Sequence, residues 1–476
     1  MRKIHIFKDY TPLSLWAGPA VFLFLLYLFS DTAGFKETAS LAAAAWMGIW
    51  WIARPVHIAV TALLPIAVNA ALSLVPMQPV VSQYFSEIIV LILAADFLCM
   101  TWTVTGLDKR LSLRILCSLS DSFRRQIALW LTVSAVLSVF LPNVVVCTLM
   151  TPVAVAMLRY AGEPPVSRSR LAVPLLLAVA WGAGIGGVGS PLGGAANLVA
   201  ISYIEGITGH EFMYISWFSR FLPFLGALLL VNLCILFLIP VPHKTLSAAK
   251  DYFRAQYKAL GPMAKGERLS LGLFLAATVL AFLRPLYAPL LPGMKPAYVF
   301  LIFALVCFIV RTGKGQPLLT WSLAEKETMW GLLILFGGGL ALGRLVTETG
   351  GAAALSQLIT MLPLSGGAMT ILALTLFCVV LTEISSNTAA AAIAMPIIQS
   401  LTETMGLSPI PYLLLATAAV NTAYILPVSI RAIPVSYGLD ASAMARWGAL
   451  ASVLSILAIT ALGSLFLYTW PGFSAL

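Results

Sequence analysis

A few polar side chains interrupt apolar runs of this sequence at points where burying them is costly. Arg431 lies inside the run Pro411–Gly438, and an arginine near the middle of a bilayer is expensive unless it has a partner or a task. Its planar fork of donors suits bidentate recognition of a carboxylate or a sulfate. Two other uses stay open: a fixed charge standing in for an ion, or an arginine that snorkels to the cytoplasmic face or pairs with an intramembrane acid. Asp96 is a second charge at apparent membrane depth, either a proton carrier or, as we favour, a buried partner for Arg431 or a hydroxyl. Glu383 lies one helical turn before Asn387, on the same side of its segment. Asn143 and Asn387 each open a run of small or β-branched residues, Asn-Val-Val-Val-Cys-Thr and Asn-Thr-Ala-Ala-Ala-Ala. An asparagine at a helix break is often only a cap, but two at matched positions favour side chains that meet a ligand.

The elements that must position these residues are membrane helices. The chain has 476 residues, of which 60% are hydrophobic and 10% charged, with a mean hydropathy of +0.97. Soluble domains carry about 25% charged residues, so this chain cannot cover itself with a water-facing surface. Secreted, cytosolic and disordered readings are excluded, and one polytopic all-α membrane unit is expected. The net charge of +10 would suggest nucleic acid in a soluble protein, but here it reflects basic residues held in cytoplasmic loops. Six cysteines (Cys99, Cys117, Cys147, Cys234, Cys307, Cys378) are scattered without CxxC spacing and read as small core residues.

Spans are drawn at Leu13–Ser30, Ser40–Ile52, His57–Val75, Ile88–Gly106, Leu171–Ile204, Phe221–Ile239, Leu269–Phe282, Ala297–Val310, Met329–Leu345, Pro411–Gly438 and Trp447–Trp470. With the N-terminus inside, 22 basic residues fall on the cytoplasmic side. Five fall outside (Lys36, Arg220, Arg284, Lys295, Arg344), and Arg431 lies within a span. The most polar stretch, His243–Arg268, is expected to be an amphipathic cytoplasmic arm. Trp50, Trp51, Trp102 and Trp470 are expected as interfacial anchors. No cleavable signal peptide follows Arg2, Lys3 and Lys8, and a bacterial cytoplasmic (inner) membrane is the expected location.

The charge sorting requires that Ser122–Tyr160 not cross, so a hairpin entering from the cytoplasm and turning back midway is expected. Such irregular backbone survives at depth only when buried in protein or lining a cavity. Gly366–Glu403 has the same character and should enter from the opposite side. The two segments match in sequence: Ser138, Asn143 and Pro152 map onto Thr382, Asn387 and Pro396, each 244 residues apart. A broken span follows each hairpin, interrupted at Gly186–Asn197 in the first half and at Pro427–Pro434 in the second. Paired interruptions in an inverted repeat are the sequence mark of a transporter binding site, where half-helix ends aim partial charges at the gap.

Leu335-Phe336-Gly337-Gly338-Gly339-Leu340-Ala341-Leu342-Gly343, followed by Thr382-Glu383-Ile384-Ser385-Ser386-Asn387-Thr388-Ala389, resembles the divalent anion:sodium symporter family, the dicarboxylate, citrate and sulfate transporters. The segments Pro55–Pro65 and Thr105–Arg110 are similar to it as well, so the resemblance covers most of the chain. It implies a homodimer with a static scaffold and an elevator-type transport domain, importing a C4-dicarboxylate-like anion with Na⁺ as the coupling ion and no organic cofactor. It also implies substrate contacts from Asn143, Gly194, Ser386, Asn387 and Thr388. One Na⁺ site would use Ser138, the Leu141 carbonyl, Asn143 and Gly193, and the other Thr382, Ser385, Asn387 and Ser429. A glutamate is usual at Glu383, which favours an orienting or structural role, whereas Asp96 stands where small residues are usual.

The sequence departs from the family pattern at the site itself. The first Ser-Asn-Thr triplet is Pro142-Asn143-Val144, so both of its hydroxyls are gone. The Thr-Pro-Pro-Asn that follows each hairpin becomes Gly194-Ala195-Ala196-Asn197 and Ile430-Arg431-Ala432-Ile433. Arg431 is therefore added to the expected substrate contacts as compensation. The resulting division is an N-terminal scaffold (1–121), a first transport half (122–240), the arm (241–268), a second scaffold half (269–362) and a second transport half (363–476). An intramembrane hydrolase at Ser190 is excluded, because all four histidines lie at or outside span ends and no lysine falls inside one. A channel would need a continuous polar file that the chain lacks. A Na⁺-independent dicarboxylate exchanger and a transporter of another oxyanion such as sulfate stay as alternatives.

Overall fold

Inside a bilayer an apolar segment has no water for its amides and carbonyls, so it must satisfy them along its own helix. The computed structural model describes residues 12–117, 122–241, 247–312, 315–351, 354 and 365–474, and every named element in it is a helix or helical turn. Eight of the described helices are long and apolar enough to cross a membrane, which makes this a multi-pass membrane protein. Arg2, Lys3, Lys8, the start of the arm at His243 and the divisions at 121 and 362–363 lie outside the described residues.

We number the principal helices α1 (Pro12–Ala33), α2 (Phe35–Ala53), α3 (Glu87–Thr105), α4 (Phe123–Phe140), α5 (Asn143–Tyr160), α6 (Ala172–Gly186), α7 (Ala195–Thr208) and α8 (Tyr214–Leu238). They continue as α9 (Ser247–Ala259), α10 (Lys265–Phe282), α11 (Pro296–Ile309), α12 (Trp330–Glu348), α13 (Ala368–Ile384), α14 (Asn387–Thr404), α15 (Pro409–Val420) and α16 (Ala441–Thr469). The span expected at His57–Val75 is instead two short helices, Ile58–Thr61 and Leu64–Leu72, with Pro65 at the start of the second.

Helices α4 and α5 are the arms of the first hairpin, and α13 and α14 those of the second. Phe140 and Ile384, Asn143 and Asn387, and Tyr160 and Thr404 are helix ends 244 residues apart, so the sequence offset recurs in the helix boundaries. Each arm of the first hairpin has 18 residues and is about 27 Å long, more than a turn at mid-depth requires. The tips themselves are deeply enclosed, with Leu141 and Ser385 both 2% exposed.

Close approach of backbones holds the first half together. On α6 only Val173 is not buried, and its Gly182 and Gly186 face α4. A Cβ at Gly186 would press on the Ala135 carbonyl and stand 2.6 Å from the Ala135 Cα. Gly186→Ala should therefore force the two helices apart and destabilise the protein by about 1–3 kcal/mol. A thermal melt of the purified variant in detergent checks this, and an unchanged midpoint would show that the contact tolerates a methyl.

The arm helix α9 turns Phe253 inward and leaves Arg254 and Lys258 exposed. Its far end is gathered by Arg110, whose Nε lies 2.7 Å from Glu267 and whose Nη1 donates to the Gly261 carbonyl at 2.8 Å. Burial works to raise the Glu267 carboxyl, but the Arg110 guanidinium and the Ala264 amide hold it below the usual carboxylate range. Two of the expected interfacial tryptophans are core residues instead. Trp51 is 2% exposed, and Trp102 is 5% exposed with its ring edge-on to Phe274. Both aromatic bodies gain more from helix packing than from the interface.

Candidate functional site

The second broken span is interrupted further upstream than the sequence pattern suggests. Helix α15 ends at Val420, the chain is non-helical from about Asn421 to Val428, and Ser429–Arg431 and Ala432–Ser436 return as short helical turns. An unwound segment of this kind frees several amides and carbonyls, and two buried charges collect them. The Glu383 carboxylate accepts from the Tyr424 amide at 2.6 Å, from Ile425 at 3.0 Å and from Leu426 at 3.1 Å. Arg431 donates through Nε to the Leu426 carbonyl at 2.6 Å and through Nη1 to Ala423 at 3.0 Å. Its Nη2 is 3.7 Å from Glu383 Oε2, and both side chains are buried.

Arg431 thus pairs with an intramembrane acid and caps freed backbone. It is not among the residues that line the cavity at the hairpin tips, and its partners are Glu383 and two backbone carbonyls. Asp96 is not its partner either. It lines that cavity, beside the Thr328 hydroxyl and the Met329 amide.

The cavity is about 300 Å³ in volume and lies where both hairpin tips meet the broken spans. Of the expected substrate contacts, Asn143, Gly194, Ser386, Asn387 and Thr388 line it. Three helices open on it with their N-terminal ends: α5 through Asn143 and Val144, α14 through Asn387 and Thr388, and α7 through Gly194 and Ala195. Unpaired amides and the helix dipole make each such end attractive to an anion. Ser386 serves partly as an N-cap, its Oγ accepting from the Ala389 amide at 3.2 Å. Gly194 is closely enclosed, since a Cβ there would stand 3.1 Å from Asn421 Oδ1 and 3.3 Å from Asn197 Nδ2 and both side chains would have to give.

Of the residues expected around Na⁺, Asn143, Gly193, Asn387 and Ser429 reach the cavity wall, while Ser138, Leu141, Thr382 and Ser385 stand behind it. Near the first tip, a Cβ on Gly193 would press on the Ser138 carbonyl and lie 2.9 Å from that of Gly187, so backbone oxygens converge there. The Ser138 hydroxyl is turned to the Ala183 carbonyl at 2.7 Å. At the second tip, Thr382 Oγ1 is 2.9 Å from Asn387 Oδ1 and 2.7 Å from the Val420 carbonyl. The Ser385 hydroxyl donates back to Leu381 at 2.6 Å. Ser429 holds a left-handed φ of 57° at the end of the unwound segment. Neutral oxygens from unwound backbone and side chains are a donor set that suits a monovalent hard cation.

Two residues absent from the sequence reading join the site. Asn421 receives the Asn387 amide at 3.3 Å and donates to Asn197 Oδ1 at 2.9 Å, while Asn197 donates to the Gly187 and Ser190 carbonyls at 2.7 and 2.8 Å. The polar pair Asn421-Thr422, inside an apolar run, was the available signal. The other residue, Arg54, also lines the cavity, from the end of α2, and nothing in its local sequence marks it.

The chain is similar to known transporters. Residues 48–420 match the family model described as citrate transporter. The chain is 29% identical over 460 residues to the sodium-dependent dicarboxylate transporter SdcS of Staphylococcus saprophyticus, covering 93% of this chain and 88% of the relative. It is 27% identical over 431 residues to the protein of the same name from Staphylococcus aureus, covering 87% and 83%. With the match running through both hairpins and the first broken span and ending at Val420, before the interruption of the second, the chain belongs to the citrate transporter family of divalent anion:sodium symporters and is a transporter, not an enzyme.

Proposed function

We propose that this protein imports a C4-dicarboxylate-like dianion together with Na⁺. The observation that carries the reading is the convergence of three helix N-termini on one cavity that is flanked by two clusters of neutral oxygen donors. The names of the relatives, sodium-dependent dicarboxylate transporters, support it. In this reading the Ser386 and Thr388 hydroxyls and the α5, α7 and α14 amides take the carboxylates. Na⁺ is carried as cargo at Asn143, Gly193 and the Ser138 and Leu141 region, and at Thr382, Ser385, Asn387 and Ser429. Because Asn143 and Asn387 belong to both sets, bound cation orients the amides that meet the anion.

The same reading includes an inverted repeat, supported by the helix boundaries at a common offset of 244 residues. It assigns 1–121 and 269–362 to a scaffold, 122–240 and 363–476 to a transport domain moving as an elevator, and 241–268 to the arm between them. It places a homodimer in the bacterial cytoplasmic membrane. The exchanger alternative drew its support from Arg431 as a substitute ion, and that charge is committed to Glu383.

The test is uptake of labelled succinate into proteoliposomes, with and without an inward Na⁺ gradient, each with and without internal succinate. Uptake driven by the Na⁺ gradient alone is the expected result. Uptake requiring only internal succinate would make the protein an exchanger, and no uptake in any condition would remove the substrate class.

A further inference from the structure

Among the described residues lining the cavity only two are charged, Asp96 and Arg54. Asp96 lies beside Thr328 and Met329 and is not within ion-pair distance of Arg54. Arg431, the cation that the sequence offers for an anion, is occupied by Glu383 and two carbonyls. Arg54 is exposed, and among the described residues its guanidinium has neither a hydrogen bond nor an ion pair. Its backbone is held in place: it closes α2 in the left-handed region at φ 52°, its amide donates to the Trp50 carbonyl at 2.8 Å, and Pro55 follows. A non-glycine residue kept in that region is strained, and such strain persists where surrounding structure imposes it.

The hairpin tips offer a carboxylate amides and hydroxyls but no full positive charge. A dicarboxylate also has a second end, and the tips lie on α5 and α14 whereas Arg54 lies at the end of α2. We infer that Arg54 is the charge-selecting residue of this site, binding the carboxylate of the dianion that points away from the hairpin tips. This inference rests on the dicarboxylate reading above and adds to it the group that distinguishes a dianion from a monoanion of the same length. Asp96 sharpens the choice, because it repels a second carboxylate that is not drawn to Arg54.

The experiment compares succinate with its monoamide, succinamate, which keeps the length and loses one charge. Na⁺-driven uptake into proteoliposomes gives a KM for each compound, and their ratio is the readout. The wild type is expected to prefer succinate. In Arg54→Gln the KM for succinate should rise about tenfold, the scale of losing one charge-assisted hydrogen bond, while that for succinamate changes less than twofold, so the ratio collapses. A role confined to stability would shift both together. An unchanged ratio overturns the assignment of Arg54 and leaves dicarboxylate transport standing, whereas a wild type that takes up neither compound removes the dicarboxylate reading and Arg54 with it. A second measurement needs no variant. Phenylglyoxal modification of Arg54 in the wild-type protein, followed by peptide mass spectrometry, should be slowed by succinate with Na⁺ and not by succinamate with Na⁺. Equal modification with both would overturn the assignment independently.

Discussion

Asn387→Ala is expected to reduce Na⁺-driven succinate uptake on the order of 100-fold at subsaturating substrate, with protein in the membrane at close to wild-type amount. The side chain accepts from Thr382 at 2.9 Å and donates to Asn421 at 3.3 Å, while its helix end opens on the cavity. Removing it takes away both contacts and leaves the Asn421 Oδ1 without its donor, at a cost of about 1–3 kcal/mol, while the Thr382 hydroxyl keeps the Val420 carbonyl as acceptor. It also removes one of the two side chains, with Asn143, that the proposed function assigns to cation and anion together. Initial rates normalised to reconstituted protein provide the measurement, with Thr388→Val as the comparison that loses a single hydroxyl. A rate within threefold of the wild type would take Asn387 out of the site.

The Glu383 and Arg431 pair should behave in the opposite way. Glu383→Ala leaves a buried guanidinium without its counter-charge and the Tyr424, Ile425 and Leu426 amides without their acceptor, and should destabilise by about 3–5 kcal/mol. Arg431→Gln should lower the thermal midpoint in detergent as well, yet leave the KM for succinate within about twofold in the protein that remains folded. The double variant Glu383→Gln/Arg431→Gln should cost less than the two single changes together, because each alone strands a charge. A large rise in KM in Arg431→Gln at wild-type stability would return this arginine to the substrate.

The contrast shows what could be read in the residues beforehand. The hairpins were legible because their breaks fall at polar residues in apolar runs, and α5 and α14 begin at the two asparagines that the matched spacing singles out. The long helices were legible from apolar length alone, as α3 and α11 show, each matching its drawn span to within one residue at either end. The fate of Arg431 was not legible, because pattern reveals that a buried charge needs a partner without saying which. Glu383 lies 48 positions earlier in the chain and reaches it only through the packing of α13 against the unwound segment. Asn421 was missed for a related reason. Pro427 and Pro434 are stronger breakers in sequence, but the helix gives way earlier, where Glu383 stands ready to accept the freed amides. Arg54 looked like one more basic residue at a span end, and only the closing of the cavity around the tips brings it to the site.

The side chains of Thr382, Asn387, Asn421 and Asn197 donate one to the next, ending on the Gly187 and Ser190 carbonyls. An amide has a donor end and an acceptor end, so a row of them has a direction, as beads strung on an arrow would. Turning over any one member sets oxygen against oxygen on one side and nitrogen against nitrogen on the other. The row ends on two backbone carbonyls, which only accept, so its direction is fixed, and reversing it would set the Asn197 amide oxygen against both. Because it runs from the second hairpin to the glycine loop of the first broken span, the two halves of the molecule share a single polarity across the centre of the protein.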